Sequence, residues 1–178
     1  MKVTVLIVTH QSQDEISHCI NSIYKYIIDV DFEIIMIDNA STDDTTKIVK
    51  KQFPEVIIKE NKNNKGFAKA NNIGARIAKG KFLFFLNPDS VITDNSIKVL
   101  LSIYKSDQKY GIVAPRIYNA DGSFQNLCLQ PTEIFVKVAA SKRKKADFVP
   151  AKIISPRFNT SIDEVYGDLS GGKFTEKG

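Results

Sequence analysis

Cysteine is scarce in this sequence: Cys19 and Cys128 are the only two, and neither belongs to a Cys-x-x-Cys pair. A disulfide framework and a thiolate zinc site are therefore poor organising principles for the chain, and a reducing, cytoplasmic setting is expected. Long apolar runs are missing as well. After Lys2 the segment Val3 to Val8 is too short for a signal-peptide core and far too short for a membrane span, and no later stretch is longer.

What remains is the composition of a soluble globular protein: 178 residues, 43% hydrophobic and 25% charged. That length suits one domain with a real core. The net charge is +5, with part of the excess in the run Lys142-Arg143-Lys144-Lys145. This run reads either as a solvated loop or as a patch drawn to an anionic membrane surface or a phosphate-bearing acceptor. The second alternative would bring the chain to the inner face of a membrane. Nucleic acid is not an expected partner, because no helix-turn-helix pattern or aromatic-interleaved basic motif accompanies the run.

Apolar patterning alternates between strand and helix over the first 115 residues. Val3 to Val8 reads as a buried parallel strand. Ile16, Cys19, Ile20, Ile23 and Ile27 then recur at helical spacing, so a helix is expected from about 14 to 27. Phe32 to Ile37 is a second strand. Ser41 and Thr42 are candidate caps for the next helix, with Asp43 and Asp44 expected in its first turn. Pro54 ends that helix, and Val56 to Ile58 makes a third strand. A polar turn from Asn61 to Lys65 leads into a helix carrying Phe67, Ala70, Ile73, Gly74 and Ile77, where Gly74 implies close approach to the sheet. Phe82-Leu-Phe-Phe-Leu86, bounded by Gly80-Lys81 and Asn87-Pro88, is expected to be a strand buried on both faces. Ile97, Leu100, Leu101 and Tyr104 mark a further helix, and Gly111 to Ala114 a strand. Asn119 to Gly122 reads as a hairpin turn between Arg116–Tyr118 and Phe124–Leu127. From about 130 the pattern loosens, and disorder is expected between about 130 and 165. The fold class is α/β, with a mostly parallel sheet flanked by helices. Residues 1–130 form its core, and 131–178 form a loosely patterned segment of the same domain.

In such a sheet three polar clusters fall at the carboxyl ends of strands: Thr9-His10-Gln11, Asp38-Asn39 and Asn87-Pro88-Asp89. Asn64-Lys65-Gly66 enters the same edge, where open α/β sheets place their ligands. A glycine cradle is absent. The turn after the first strand, Thr9-His-Gln-Ser-Gln-Asp14, has no glycine, which argues against a dinucleotide-binding Rossmann domain, and no P-loop occurs. A diphosphate held here needs another source of positive charge, which a magnesium or manganese ion on Asp89 would supply. Each residue also has a plain structural alternative. Asp38 could cap the turn that follows it, His10 and His18 could serve packing or the surface, Asn72 could be a ligand-free helix residue, and Asp89 a turn residue after proline.

Val5-Leu-Ile-Val-Thr-His10, Ile37-Asp-Asn-Ala-Ser-Thr-Asp43, Asn64-Lys-Gly-Phe-Ala-Lys-Ala-Asn-Asn-Ile-Gly74 and Phe85-Leu-Asn-Pro-Asp-Ser90 resemble the successive motifs of family 2 glycosyltransferases. The resemblance covers about residues 3 to 120 and implies a GT-A-like, Rossmann-related fold. The Leu-Asn-Pro-Asp form is similar to the branch that includes rhamnosyltransferases of surface polysaccharide assembly. It implies inverting transfer of a sugar from a nucleotide diphosphate donor to a glycan or lipid-linked acceptor. By the same resemblance Thr9 and Asp38 would contact the base, Gly66 and Asn72 would shape the pocket wall, and Asp89 would be the metal aspartate. Gln11, Lys65 and Asn87 complete the candidate donor site. Asn87 stands where the family motif usually has its first aspartate.

Inverting transfer needs a general base for the acceptor hydroxyl. In the resembling family the base lies in an acidic motif after a small-residue segment, which Leu169-Ser-Gly-Gly172 resembles. The sequence ends at Gly178 before such a motif, and Asp163, Glu164 and Asp168 precede the segment, so none is assigned. A shortened reading frame or a partner-supplied half is expected. Two alternatives of other classes follow: a nucleotide-sugar binding module without turnover, and a nucleotidyltransferase, which would want a glycine-rich basic loop after the first strand.

Overall fold

The computed structural model describes residues 2–106, 112–119 and 121–123, with the backbone of the strand Phe148–Ile154. Two compact units make up the chain, Met1–Val91 and Ile92–Gly178.

The first unit runs β1 (Val3–Thr9), α1 (Ile16–Tyr26), β2 (Phe32–Asp38), α2 (Thr45–Gln52), β3 (Ile57–Glu60), α3 (Phe67–Ile77) and β4 (Phe82–Leu86). All four strands are parallel, in the order β3-β2-β1-β4. The chain steps from β1 to β2 to β3 in one direction and then returns to the far side of β1. Right-handed crossovers therefore put α1 and α2 on one face and α3 on the other. Accordingly α1 packs beside α2, while α3 packs on β1 and β2.

Covered on both faces and paired on both sides, β1 is buried along its whole length. Beneath α3 the core is Leu6, Val8, Ile35, Ile37 and Ala70, flanked by Ile73 and Ala78. Gly74 explains how closely α3 can sit there. A β-carbon on it would fall inside van der Waals contact with Leu6 Cδ1, so the residue that weakens the helix is the one that lets it reach the sheet. The opposite side of the sheet is closed by Ile16, Cys19, Ile20 and Ile23 of α1, all fully buried.

Several sequence expectations are corrected. β4 is an end strand rather than one buried on both faces, and Leu83 and Phe85 are 39% and 53% exposed. The reason is topological: α3 lies over β1 and β2, so alternate side chains of β4 on that face are left uncovered. Asp43 and Asp44 both precede α2 instead of lying in its first turn, and Ser41 and Thr42 bond to the loop after β1 rather than capping the helix.

The second unit holds α4 (Ser96–Ser106), β6 (Ala114–Tyr118) and β7 (Phe148–Ile154). β5 (Val91–Ile92) lies at its start, and the sheet order is β5-β7-β6. β6 starts at Ala114, where the sequence suggested that a strand would end. A turn with Gly122 at φ 87° follows it. The strand 148–154 falls in the stretch expected to be disordered. Pro150 hides it in the sequence, because proline cannot donate to a ladder and belongs at edges or bulges. Here β6 and β7 pair in parallel with a register shift at Pro115/Arg116. Val149 faces Pro115 and Lys152 faces Arg116, so Pro150 falls in the irregularity. Phe124–Leu127, Cys128, Lys142, Arg143, Lys144, Lys145, Asp163, Glu164, Asp168 and Leu169–Gly172 lie outside the described residues.

Candidate functional site

Parallel pairing brings the carboxyl ends of β2, β1 and β4 side by side, with Thr9 level with Asp38 and Ile7 level with Leu86. The strand order reverses between β1 and β4, and the crevice beyond the carboxyl ends at such a switch point is where open α/β sheets take ligands. The three polar clusters anticipated at these strand ends therefore share one edge.

At its centre the Thr9 hydroxyl donates to Asp38 Oδ1 at 3.1 Å, and the Ser41 amide donates to Asp38 Oδ2 at 3.0 Å. Both side chains are buried. Asp38 thus does cap the turn that follows it, and it does so from inside the protein.

Gln11 is exposed and holds a left-handed φ of 55°, while Ala40 beyond β2 holds one of 66°. Such conformations cost about 1–3 kcal/mol for residues other than glycine and persist only where neighbours enforce them. The enforcement is visible. Gln11 donates its backbone N–H to Ser41 Oγ at 2.9 Å and its side-chain amide to Thr42 Oγ1 at 2.8 Å. Gln11 Oε1 accepts from the amides of Thr42 and Asp43 at 2.9 and 3.2 Å. Gln13 continues the seam, donating its amide to Asp43 Oδ2 at 3.1 Å and accepting from the Asp44 amide at 3.2 Å. The Gln11 side chain is committed to tying the two loops together.

The turn before α3 is organised by a residue that the sequence places in a strand-end cluster without giving it a role. Asn39 is 3% exposed. Its Oδ1 accepts from Asn61 Nδ2 at 3.1 Å and from the Lys65 amide at 2.9 Å, and its Nδ2 donates to Asn64 Oδ1 at 2.7 Å. Asn64 Oδ1 also accepts the Gly66 amide at 2.9 Å. Gly66 itself sits at φ 79°, ψ 157°, a conformation only glycine takes readily, and opens α3. The asparagine-rich run 61–64 was the available signal, and it read only as a polar turn. On α3 the buried asparagine is Asn71, which donates to the Phe67 carbonyl at 3.1 Å, whereas Asn72 is exposed and does not join the bonded strand-end clusters.

After β4 the turn closes with the Ser90 amide donating to the Asn87 carbonyl at 3.1 Å. The Asp89 side chain is buried and that of Asn87 exposed. The Cys19 thiol of α1 donates to the same Asn87 carbonyl at 3.5 Å. Burial pushes this thiol well above its ordinary pKa, and the Asp89 carboxylate pushes it further. Both effects favour the protonated thiol over the thiolate. Among the described residues no three His, Cys, Asp or Glu side chains cluster as metal ligands. The donors at this turn, a carboxylate and an amide oxygen, fit a hard cation that completes its shell with water and phosphate oxygens, as magnesium does with one or two carboxylates. Among the same residues no helix is long and apolar enough to cross a membrane.

Known proteins resemble this chain in sequence and in fold. The chain is 31% identical over 113 residues to the poly(ribitol-phosphate) beta-glucosyltransferase of Bacillus spizizenii, covering 61% of this chain and 18% of that one. A shorter stretch of 59 residues is 49% identical to a Synechococcus elongatus protein named Photosystem II extrinsic protein O, covering 30% of this chain and 21% of that one. The crystal structure of S. aureus TarS 1–349 in complex with UDP-GlcNAc superposes with a TM-score of 0.61 at 25% identity, over 68% of this chain and 36% of that one. The chain thus spans about a fifth of the length of the two curated relatives and 36% of the TarS chain. The fold is the α/β, GT-A-like one expected, with a parallel sheet flanked by helices. The family described as Glycosyl transferase family 2 matches residues 4–162, and the chain belongs to it.

Proposed function

We propose that the carboxyl edge of the first sheet binds the diphosphate of a nucleotide sugar, and that the chain is the donor-binding part of a glycosyltransferase acting in surface-polymer synthesis. The observation that carries this reading is the pair of buried carboxylates, Asp38 and Asp89, at the ends of β2 and β4 on either side of β1. The likeness to TarS, solved in complex with UDP-GlcNAc, supports a nucleotide-sugar ligand.

In this reading Asp38 and Thr9 lie on the base side, with Lys65 and Gly66 before α3. Asn87 and Asp89 face the diphosphate, and Asp89 with the Asn87 amide oxygen would hold magnesium or manganese. When bound, that ion neutralises phosphate charge. Gln11 acts by holding the two loops, and Asn72 by contact from the exposed side of α3. The transfer is inverting, with a glycan or lipid-linked acceptor, in the rhamnosyltransferase-like branch suggested by Asn87-Pro88-Asp89. The protein works in the cytoplasm, with Lys142, Arg143, Lys144 and Lys145 attracted to the inner membrane face.

The test is a thermal-shift and calorimetric panel of UDP-, dTDP- and GDP-sugars with and without manganese. A ligand at a hundredfold excess over its dissociation constant stabilises by about 2.7 kcal/mol. Binding of one nucleotide class is expected, strengthened by the metal, with the enhancement lost in Asp89→Ala. Equal metal dependence in the variant refutes the role of Asp89, and no binding by any donor refutes the site. Donor hydrolysis or transfer by the chain, measured against a metal-free control, separates an enzyme from a binding module.

A further inference from the structure

We infer that Asn39 is a positioning residue for the donor site: a buried amide that fixes the Lys65 and Gly66 backbone against the end of β2 without touching the ligand. This rests on the donor-site reading above and goes beyond it by separating a residue that shapes the nucleotide side from those that face the diphosphate.

The bonding of Asn39 is directional on both ends of its amide. Oδ1 takes two donors, Asn61 Nδ2 and the Lys65 amide, which fills its two lone pairs. Nδ2 gives a proton to Asn64 Oδ1, which in turn receives the Gly66 amide. One side chain therefore joins the end of β2, the residue just beyond β3 and the residues that open α3. The backbone reinforces the same junction, with the Asn39 amide on the Thr9 carbonyl and the Asn61 amide on the Asp38 carbonyl, each at 2.8 Å.

At 3% exposure, Asn39 has little surface to offer a ligand. Lys65 and Gly66 are exposed beside it and can reach one. An aspartate at position 39 would keep both acceptor bonds, yet it could only oppose the Asn64 oxygen, since an ionised carboxylate donates nothing. Asparagine is thus the side chain whose donor and acceptor both match this junction. The turn at Gly66 gives the match its purpose. Glycine takes a φ of 79° at little cost, and the Lys65 amide on Asn39 Oδ1 and the Gly66 amide on Asn64 Oδ1 tie this turn to the end of β2.

The experiment compares the wild-type full chain with Asn39→Ala, Asn39→Asp and Glu33→Gln, the last lying at the opposite, amino-terminal edge of the sheet. UDP affinity is measured by calorimetry with and without manganese, and amide hydrogen exchange of Lys65 and Gly66 is followed by NMR. Asn39→Ala is expected to speed exchange at Lys65 at least tenfold and to weaken UDP about tenfold, by the same factor with and without the metal. Asn39→Asp, the milder change should the alanine variant fail to fold, is expected to speed exchange at Gly66 and weaken UDP in the same metal-independent way. Glu33→Gln should lower stability and leave UDP affinity unchanged. Faster exchange with unaltered UDP binding overturns the positioning role, as does a loss of affinity equal to that in Glu33→Gln. A loss confined to the manganese arm also overturns it. Unchanged exchange overturns the network itself. If wild type binds none of UDP, dTDP and GDP in either arm while exchange responds as stated, the donor-site reading fails, and the positioning role fails with it.

Discussion

Thr9 closes β1 and Asp38 closes β2, and across that pair of strand ends the Thr9 hydroxyl donates to the Asp38 carboxylate at 3.1 Å with both side chains buried. Removing the hydroxyl leaves a buried carboxylate oxygen without that donor, which costs about 1–3 kcal/mol. Thr9→Val is therefore expected to lower the urea unfolding midpoint by that equivalent, and Thr9→Ser, which keeps the donor, by clearly less. Equal midpoints for valine and wild type would show that the bond contributes nothing to stability.

Cys19 should be chemically silent in the native protein. It is fully buried on α1, its thiol donates to the Asn87 carbonyl, and burial with the Asp89 field disfavours the thiolate. Thiolate is the reactive form, so alkylation requires opening of the α1 packing. In a Cys128→Ser background, labelling at pH 8 is expected to follow the unfolding transition in urea and to be absent before it. Rapid labelling in native buffer would contradict the placement.

Two glycines sit under close approach, and they differ in what they approach. A β-carbon on Gly74 meets the end of the Leu6 side chain, which can shift. One on Gly80 meets Thr4 and Val3 backbone atoms, with the Val3 carbonyl carbon at 2.8 Å, and backbone cannot give way. Overpacking of the first kind costs about 1–3 kcal/mol. Gly74→Ala should fall in that range despite its gain in helix propensity, and Gly80→Ala should cost more. Chemical denaturation of both variants checks the order.

The parallel sheet was legible because its strands are short continuous apolar runs, and the strand-end clusters followed once the strands were parallel. What stayed hidden depends on pairings between distant residues. Nothing local to Gln11 says that its amide meets Ser41, Thr42 and Asp43 thirty residues on, and nothing local to Asn39 says that it meets Asn61, Asn64 and Lys65. Composition misled at β4, where five large apolar residues read as doubly buried although strand order leaves Leu83 and Phe85 uncovered. Pro150 misled in the other direction by disguising a strand. Glu33 is a further case, because nothing local to a single glutamate inside a strand says that it gathers donors from two distant segments, residues 2–4 and 79–80.

Those donors make Glu33 an acid-sensitive latch at the amino-terminal edge of the sheet. Its Oε1 accepts from the Thr4 hydroxyl at 2.6 Å and from the Lys79 and Gly80 amides at 2.7 and 3.1 Å, and Lys2 Nζ lies 3.6 Å from Oε2. Burial alone would push this carboxyl up. The Thr4 hydroxyl, the Lys79 amide, the Lys2 charge and the Gly80 amide together outweigh that, so it titrates below its usual range. A lowered folded pKa means that the unfolded chain binds the proton more readily. The stabilisation is thus fully present above the unfolded glutamate value of about 4.3 and is lost as pH falls through the folded value. Hydrogen bonds to a charged group are worth about 1.5–3 kcal/mol, and Lys2, itself partly exposed, adds little. Glu33→Gln should therefore cost stability of that order at pH 6–7, and the gap from wild type should be constant down to about pH 5 and close below the unfolded value. Urea unfolding at a series of pH values from 7 to 3 reads this directly. A gap that widens on acidification would mean that Glu33 titrates above its usual value and that its burial, rather than its donors, governs the charge.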